Sequence, residues 1–311
     1  MPAEYIHISR EVMASTFQVF LNAGEYKNGV DIALDALDEV SRLEKLLNYF
    51  DSQSEINRVN VCGAKDFVQI VPEVYGLLKK CDKIYKETEG AFDITSSPLW
   101  EAWGFSRRKP RFPEESVWEE ARKCVGADAI LWDDAQNALK FQKKGMKISL
   151  GSIGKGFALD AAVSILDASG VNNYLFHGGL SSVFARGKRR GRKDWQVGLH
   201  HPLKINARIM EISLRDGALA TSGSATQFFW YQGKRYGHIL DPRTGNPVQG
   251  VLSATVLAQN ATDADALATA FYVMGVEKTE EYCKKNPELG VIFVLPGEGE
   301  NLEIKKIGSV P

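Results

Sequence analysis

A glycine-rich loop with one lysine is the first candidate for chemistry. The stretch ISLGSIGKGFALDAAV, residues 148–163, passes from a short apolar strand through glycines into a helix. The Walker fingerprint G-x-x-x-x-G-K-[ST] does not fit, because the spacing before Lys155 is too short and Gly156 stands where that loop has Ser or Thr. The dinucleotide fingerprint G-x-G-x-x-G does not fit either. Backbone amides at a helix start still attract anions, and Lys155 adds a positive charge. The loop predicts either a phosphate cradle or a plain strand-to-helix turn.

A carboxylate and a hydroxyl four residues apart form the second candidate. In NATDADALATAF, residues 260–271, Asp265 and Thr269 fall on one face of a helix predicted over 263–274. Both offer oxygen atoms, which Mg²⁺ prefers, and Mg²⁺ is usually shared with substrate phosphates. The competing interpretation is a capping box, with Thr262 at the cap and Asp265 three residues on. The pattern predicts a magnesium site or a helix start.

A histidine beside a turn is the third candidate. The stretch YGHILDPRTGNPV, residues 236–248, indicates the end of a strand followed by a turn rich in Pro, Gly and Asn. His238 stands at the strand end, where an imidazole can act as a general base near neutral pH. The competing interpretation is a histidine at the surface or at the edge of the core.

An aromatic segment, TEGAFDITSSPLWEAWGF at residues 88–105, is the fourth candidate. Its GAFD run predicts a helix exit and a sharp turn at residues 90–93. The aromatic rings either line a pocket for a flat ligand or fill a core. They are Phe92, Trp100, Trp103 and Phe105.

A basic run, RGKRRGRKDW at residues 186–195, has six basic residues in eight. It predicts a solvated hairpin tip between two strands. A nucleic-acid patch is the alternative, but the formal net charge of the chain is −1 and no aromatic residues interleave this run. No nucleic-acid partner is therefore expected.

The elements that must position these residues mix helices with antiparallel hairpins, which predicts an α+β fold and not a regular βαβ winding. Apolar residues recur at helical spacing over four segments, and residues 54–60 form a polar loop or short helix. The predicted helices span 28–50, 72–86, 157–168 and 263–274. The predicted strands include a hairpin around 133–137 and the segments 16–21, 147–150, 173–177, 194–199, 207–214, 226–231, 236–240, 252–258, 291–295 and 302–306.

Length and composition set further bounds. The 311 residues suffice for one large domain or two modest ones. No apolar run approaches the ~18 residues that span a bilayer, and the first residues carry no leader pattern. The four cysteines are widely separated, which predicts buried thiols in a reducing compartment and not a disulfide framework. A cytoplasmic chain and a leader-trimmed chain both remain open.

Taken together and in chain order, these segments resemble the ApbE family of FAD:protein FMN transferases. Each motif is weak alone, but seven in register between Met13 and Gly275 indicate the family. The motifs are EVMASTFQVF, NYFDSQSEINRVN, TEGAFDITSSPLWEAWGF, ISLGSIGKGFALD, ALATSGSATQFF, HILDPRTGNPV and DADALATAFYVMG.

The resemblance implies a fold and a reaction. The fold would be a T-fold-related α+β architecture of antiparallel sheets and packed helices, over 1–311 as one domain or two intertwined subdomains, with the active site in a cleft between them. The family uses Mg²⁺ to transfer FMN from FAD to a threonine of a flavoprotein, releasing AMP. The acceptor carries a Ser/Thr-Gly-Ala-Thr type motif, and some members hydrolyse FAD instead.

The resemblance also implies residue roles. Asp265, Thr269 and the carbonyl of Ser152 match metal-ligand positions, although Ala268 stands where some members have a further ligand. His238 matches the histidine that activates the acceptor hydroxyl. The positions matched to FAD contacts are Met13, Phe50, Ala91, Phe92, Asp93, Ser149, Lys155 and Ile239.

Two residues depart from the family pattern. Ser149 replaces the aspartate of the family's DLG motif, and Leu180 stands where an aspartate is usual. Ser149 keeps a hydrogen-bonding group without the charge, whereas Leu180 keeps neither. Three activities therefore stay open: FMN transfer, FAD hydrolysis, and FAD binding without catalysis.

Overall fold

The computed structural model describes residues 5–204, 207–225, 227–299 and 301–311. Single turns of 3₁₀ helix lie at Phe105–Arg107 and Ala127–Ala129. The α-helices of the described residues are α1 Gly29–Leu47, α2 Glu55–Cys62, α3 Pro72–Glu87, α4 Ser97–Ala102, α5 Glu115–Lys123, α6 Gly154–Ala168 and α7 Ala261–Lys285.

The strands pair antiparallel throughout the described residues. They are β1 Tyr5–Val12, β2 Ser15–Asn22, β3 Val68–Gln69, β4 Ile130–Asp133, β5 Ala138–Phe141, β6 Tyr174–Gly178, β7 Ser182–Arg186, β8 Trp195–His200, β9 Arg208–Leu214, β10 Gly217–Gly223, β11 Phe228–Tyr231, β12 Lys234–Gly237, β13 Leu240–Asp241, β14 Asn246–Pro247, β15 Ser253–Ala258, β16 Gly290–Pro296 and β17 Leu302–Gly308. The main sheet has the order β1-β2-β6-β7-β10-β15-β16-β17, and β8–β9, β11–β12 and β13–β14 form separate ribbons.

The central strands of the main sheet are apolar on both faces, and alternation along each of them divides the side chains between two cores. On β10, Ala218 and Ala220 face the large core that holds α1, α6 and α7, whereas Leu219 faces a second core. The β8–β9 ribbon covers that second core with Trp195 and Val197. Because successive strand residues point to opposite faces, one strand serves both layers.

The predicted α+β class is confirmed, and the four predicted helices are all present with shifted ends. The last one continues to Lys285 through a kink at Gly275, whose φ is +75°. The predicted strand at 226–231 begins at Phe228, and Thr226 lies outside the described residues. No helix among the described residues is long and apolar enough to cross a bilayer. Cys81 and Cys283 are buried as expected, but Cys62 is exposed.

The predicted strand at 147–150 is wrong, because this extended segment pairs with a side chain instead of a neighbouring strand. The Asn60 side chain accepts a hydrogen bond from the Ile148 amide at 2.7 Å and donates one to the Ile148 carbonyl at 2.9 Å. The Ser149 amide donates to the Ile94 carbonyl at 2.8 Å. These bonds satisfy the backbone of the segment without a strand ladder.

The predicted hairpin tip at 186–195 is also wrong. β7, which precedes the basic run, pairs with β6 and β10, whereas β8, which follows it, pairs with β9. The run therefore connects the main sheet to the ribbon that covers it. Lys188, Arg192 and Lys193 are exposed there.

Candidate active site

A cavity of about 460 Å³ collects most of the predicted residues. It lies where the glycine-rich loop, the first turns of α7, the end of β10 and the segment after β12 meet. It is lined by Ala91, Phe92, Asp93, Ser96, Ser97, Trp100, Ser149, Gly151, Ser152, Lys155, Ser181, Thr221, Ser222, Gly223, Gln227, His238, Ile239, Leu240, Pro242, Asp265 and Thr269.

The glycine-rich loop is the start of α6, packed directly against α7. A Cβ at Gly156 would lie 2.1 Å from the carbonyl oxygen of Ala261, so no larger residue fits without moving a helix. At this distance the Gly156 amide donates a hydrogen bond of 3.0 Å to Oδ2 of Asp265. The glycine at the Ser/Thr position of a Walker loop therefore serves to bring two helices together. Lys155 lines the cavity and has no ion-pair partner among the described residues.

Asp265 is not part of a capping box, which corrects the competing interpretation. The α7 cap is Asn260, whose side chain accepts from the Asp263 amide at 2.8 Å and donates to the Asp263 carboxylate at 2.7 Å. Thr262 instead donates to the half-buried carboxylate of Asp160. Asp265 is thus free of the cap, and its carboxylate is directed into the cavity wall.

Asp265 and Thr269 lie one helical turn apart, and each has a serine partner. The buried Asp265 carboxylate accepts a 3.3 Å hydrogen bond from Ser182 in addition to the Gly156 bond. The hydroxyls of Thr269 and Ser222 are 2.8 Å apart. The described residues contain no cluster of three or more His, Cys, Asp or Glu side chains that could hold a metal. One carboxylate with neutral oxygens suits Mg²⁺ that also binds phosphate, since Mg²⁺ is usually held by one or two carboxylates plus substrate phosphates.

His238 directly follows β12 and is fixed by its own ribbon. Its amide donates to the Gln227 carbonyl at 3.1 Å, and its Nδ1 lies 3.3 Å from the same oxygen. A proton on Nδ1 would leave Nε2 as the acceptor. Burial lowers the pKa of His238 to about 4, and the nearby charge of Lys155 acts in the same direction. The imidazole is therefore neutral at physiological pH.

Asp93 is a second buried carboxylate in the wall. Burial raises its pKa to about 6, although hydrogen bonds from the amide and hydroxyl of Thr95 oppose the rise. Both bonds go to one oxygen, Oδ1, at 2.7 and 2.6 Å. The loop after α3 thus holds Asp93 in a fixed orientation through its own neighbour.

A second cavity of about 330 Å³ adjoins the first and contains the remaining predicted residues, Met13 and Phe50. The cavities share a wall of four residues: Trp100, Ser149, Gly151 and Lys155. The Met13 amide is held by Glu44 at 2.8 Å, and the Phe50 ring is 67% exposed. The two cavities thus adjoin each other, and the second is lined by an exposed aromatic ring.

All twelve predicted site residues therefore line one of the two adjoining cavities. Among the aromatic candidates, Phe92 and Trp100 line the first cavity, whereas Trp103 and Phe105 fill a small core. Leu180 lies outside both cavities and is 85% exposed. Of the two departures from the family pattern, only Ser149 borders the candidate site.

Sequence reasoning missed the residues that support the predicted ones. Ser182 and Ser222 bond to Asp265 and Thr269, and the carbonyl of Gln227 holds His238. Ser222 and Gln227 belong to a stretch noted only for its resemblance to a motif. The sequence signal that points to Ser222 is a hydroxyl-rich strand end, the TSG run at residues 221–223.

Comparison with known proteins places the chain in context. The sequence model of the ApbE family matches residues 13–293. FAD:protein FMN transferase of Haemophilus influenzae is 29% identical, covering 93% of this chain and 86% of its own length, and the Treponema pallidum enzyme of that name is 30% identical over 84% and 77%. The crystal structure of the ApbE protein from Thermotoga maritima has a TM-score of 0.85 at 32% identity, covering 96% of both chains. Flavin transferase ApbE from Vibrio cholerae has a TM-score of 0.87 at 25% identity, covering 98% of both.

Proposed function

Because this chain belongs to the ApbE family, we propose that it is a FAD:protein FMN transferase. It would move FMN from FAD to a threonine of an acceptor flavoprotein, with Mg²⁺, and release AMP. The observation that carries the proposal is the convergence of Lys155, the Asp265–Thr269 pair and His238 on one cavity. The adjoining cavity, with Phe50 and Trp100, offers rings on which a flat heterocycle can stack.

The metal would be held by the Asp265 carboxylate, the Thr269 hydroxyl and the Ser152 carbonyl. When bound, Mg²⁺ would neutralise charge on the two phosphates and favour departure of AMP. Gly156 and Ser182 orient the carboxylate by hydrogen bonds, as outer partners commonly do for metal ligands. Lys155 contributes a second positive charge to the phosphate region.

His238 would act on the acceptor. Nε2 takes the proton of the threonine hydroxyl as its oxygen bonds to the phosphorus of the FMN moiety. The bond from that phosphorus to the oxygen bridging to AMP breaks, and AMP leaves with the electron pair. The Gln227 carbonyl would keep the Nδ1 proton in place, so that Nε2 stays available. Water in place of the threonine would give FAD hydrolysis with the same groups.

The test is incubation with FAD, Mg²⁺ and a flavoprotein that carries a Ser/Thr-Gly-Ala-Thr motif, followed by measurement of AMP and of covalent FMN. Equal amounts of both products are expected. AMP without covalent FMN would indicate a hydrolase, and bound FAD with neither product would indicate a binding protein. His238→Asn should lose transfer, whereas His200→Asn, at an exposed histidine outside the cavity, should not.

A further inference from the structure

A basic and aromatic surface lies beside the candidate active site and has no role in the reaction as described. It consists of the loop after α4 and the adjacent β11–β12 ribbon. We call it the basic–aromatic face, and it comprises Arg107, Arg108, Lys109, Arg111, Phe112 and Tyr231. All six side chains are exposed to solvent.

The four cations of this face have no carboxylate within salt-bridge distance among the described residues. The nearest acids along the chain, Glu114 and Glu115, make no ion pair with them. Arg243, which is also near the site, is by contrast paired with Asp241 at 2.8 Å. Like charges that repel each other without compensation destabilise a fold, so such a concentration suits a surface that meets an anionic partner.

The face is also built to hold its shape. Gly104 has a φ of +75°, and a Cβ there would lie 2.3 Å from the Lys109 carbonyl oxygen. The Lys109 amide donates to the Gly104 carbonyl at 3.1 Å, and the Arg111 amide donates to the Trp103 carbonyl at 3.0 Å. The loop therefore folds back on itself and is not a free segment.

Ring stacking joins this loop to the ribbon that carries His238. The Phe112 and Tyr231 rings stack at 4.7 Å, and the rings of Trp103 and Tyr236 stack at 5.8 Å beneath them. Phe105, which opens the loop, has its ring 6.3 Å from that of His238. The basic–aromatic face therefore begins two residues along the chain from a ring that contacts His238, so a protein that presents a hydroxyl to His238 comes close to this face.

We propose that the basic–aromatic face docks the acceptor protein, and that the acceptor is acidic around its acceptor hydroxyl. The proposal rests on the proposed function. The charges supply attraction, and the exposed Phe112 and Tyr231 rings supply contact area, since aromatic residues are enriched in protein interfaces. The location of this face near His238 favours a protein over a lipid surface as its partner, because only a protein acceptor needs to approach His238.

The test compares matched charge removals. The first variant combines Arg107→Gln, Arg108→Asn and Lys109→Gln, with asparagine chosen because Arg108 has a φ of +53°. The control removes three exposed charges from the other basic run, at the far end of β7 from the cavity, by Lys188→Gln, Arg192→Gln and Lys193→Gln.

The probes are two synthetic peptides with the same Ser-Gly-Ala-Thr core, one flanked by Asp and Glu and the other by Asn and Gln. For the wild type and the control variant, KM for the acidic peptide should be about tenfold lower than for the neutral peptide. This preference should disappear in about 1 M salt, where the Debye length is about 3 Å. The first variant should lose the preference while its KM for FAD stays unchanged.

Equal KM values of the wild type for the two peptides would overturn the docking proposal alone. An equal loss of the preference for the acidic peptide in the first variant and in the control variant would do the same. Binding to anionic phosphatidylglycerol vesicles that disappears in the first variant, with peptide KM unchanged, would assign the face to a membrane and also overturn it. No FMN on either peptide would instead overturn the proposed function and this proposal with it. Arg107→Lys with Arg108→Lys, which keeps the charges, should retain the preference.

Discussion

Replacing Gly156 by alanine tests whether the close approach of α6 and α7 builds the site. The added methyl carbon would lie 2.1 Å from the Ala261 carbonyl oxygen and 2.8 Å from Cβ of Asp265. The Ala261 oxygen belongs to the backbone of α7, and Cβ of Asp265 is bonded directly to that backbone. Neither atom can move aside alone, so the two helices have to separate. Overpacking of this kind costs about 1–3 kcal/mol, and loss of the amide bond to the carboxylate costs about 1.5–3 kcal/mol.

We therefore expect Gly156→Ala to lower the free energy of unfolding by about 2.5–6 kcal/mol, measured by urea denaturation. The matched control is Gly76→Ala in α3, where a Cβ meets nothing within 4 Å. Alanine there should stabilise the protein by up to about 1 kcal/mol, because it is the better helix former. AMP release from FAD should fall in Gly156→Ala even where the variant is folded, since Asp265 loses an orienting bond. Stability and turnover equal to wild type would refute the packing argument.

Three further predictions concern charged and titrating groups. Asp265→Asn should lower Mg²⁺-dependent transfer by more than about 100-fold, whereas Asp263→Asn, two residues away at the helix cap, should not; equal losses measured as covalent FMN would contradict the assignment. Only neutral His238 can accept a proton, and its pKa is lowered to about 4, whereas Asp93 in the same cavity has a pKa raised to about 6. In an Asp93→Asn background, kcat/KM for FAD should therefore stay constant from about pH 8 to about pH 5; a midpoint near 6.5 in that background would contradict the burial argument. Burial also lowers the pKa of His177 to about 4, so the unfolded chain binds a proton between pH 6.5 and 4 that the folded chain does not. Over this range the unfolding free energy of wild type should fall by up to about 3 kcal/mol more than that of His177→Gln, and parallel pH curves in urea denaturation would count against it.

The spacing of apolar residues predicted those helices and strands whose buried face is formed by residues of a single chain segment. The apolar residues of α1 recur every three to four positions, and those of β2 alternate, so each face to be buried is visible in the sequence. The segment 147–150 has the same strand-like composition, but its hydrogen-bonding partner is the side chain of Asn60. Asn60 lies 88 residues earlier in the chain, so the sequence around residues 147–150 does not indicate this hydrogen bond. The domain organisation proposed from the resemblance stays a prediction.

The start of α7 shows a different limit, because the local sequence supports two caps. Asn260 and Thr262 are both good cap residues, and each has an aspartate three positions later. The choice between them is made by Asp160 in α6, which accepts hydrogen bonds from the amides of Ala261 and Thr262, both at 2.8 Å. Sequence spacing alone could not separate a capping carboxylate from one available for chemistry.

The candidate site itself depends on contacts between distant segments. Asp265 is held by Gly156, 109 residues earlier, and by Ser182, 83 residues earlier. The candidate residues for chemistry were visible in the sequence, because a carboxylate, a lysine and a histidine are each conspicuous beside glycines and turns. The groups that orient them were not visible, because a serine or a backbone amide gains its role only from position. Motifs in the sequence thus predict candidate reacting groups, whereas only the structure shows the Gly156 and Ser182 hydrogen bonds that hold the Asp265 carboxylate in place.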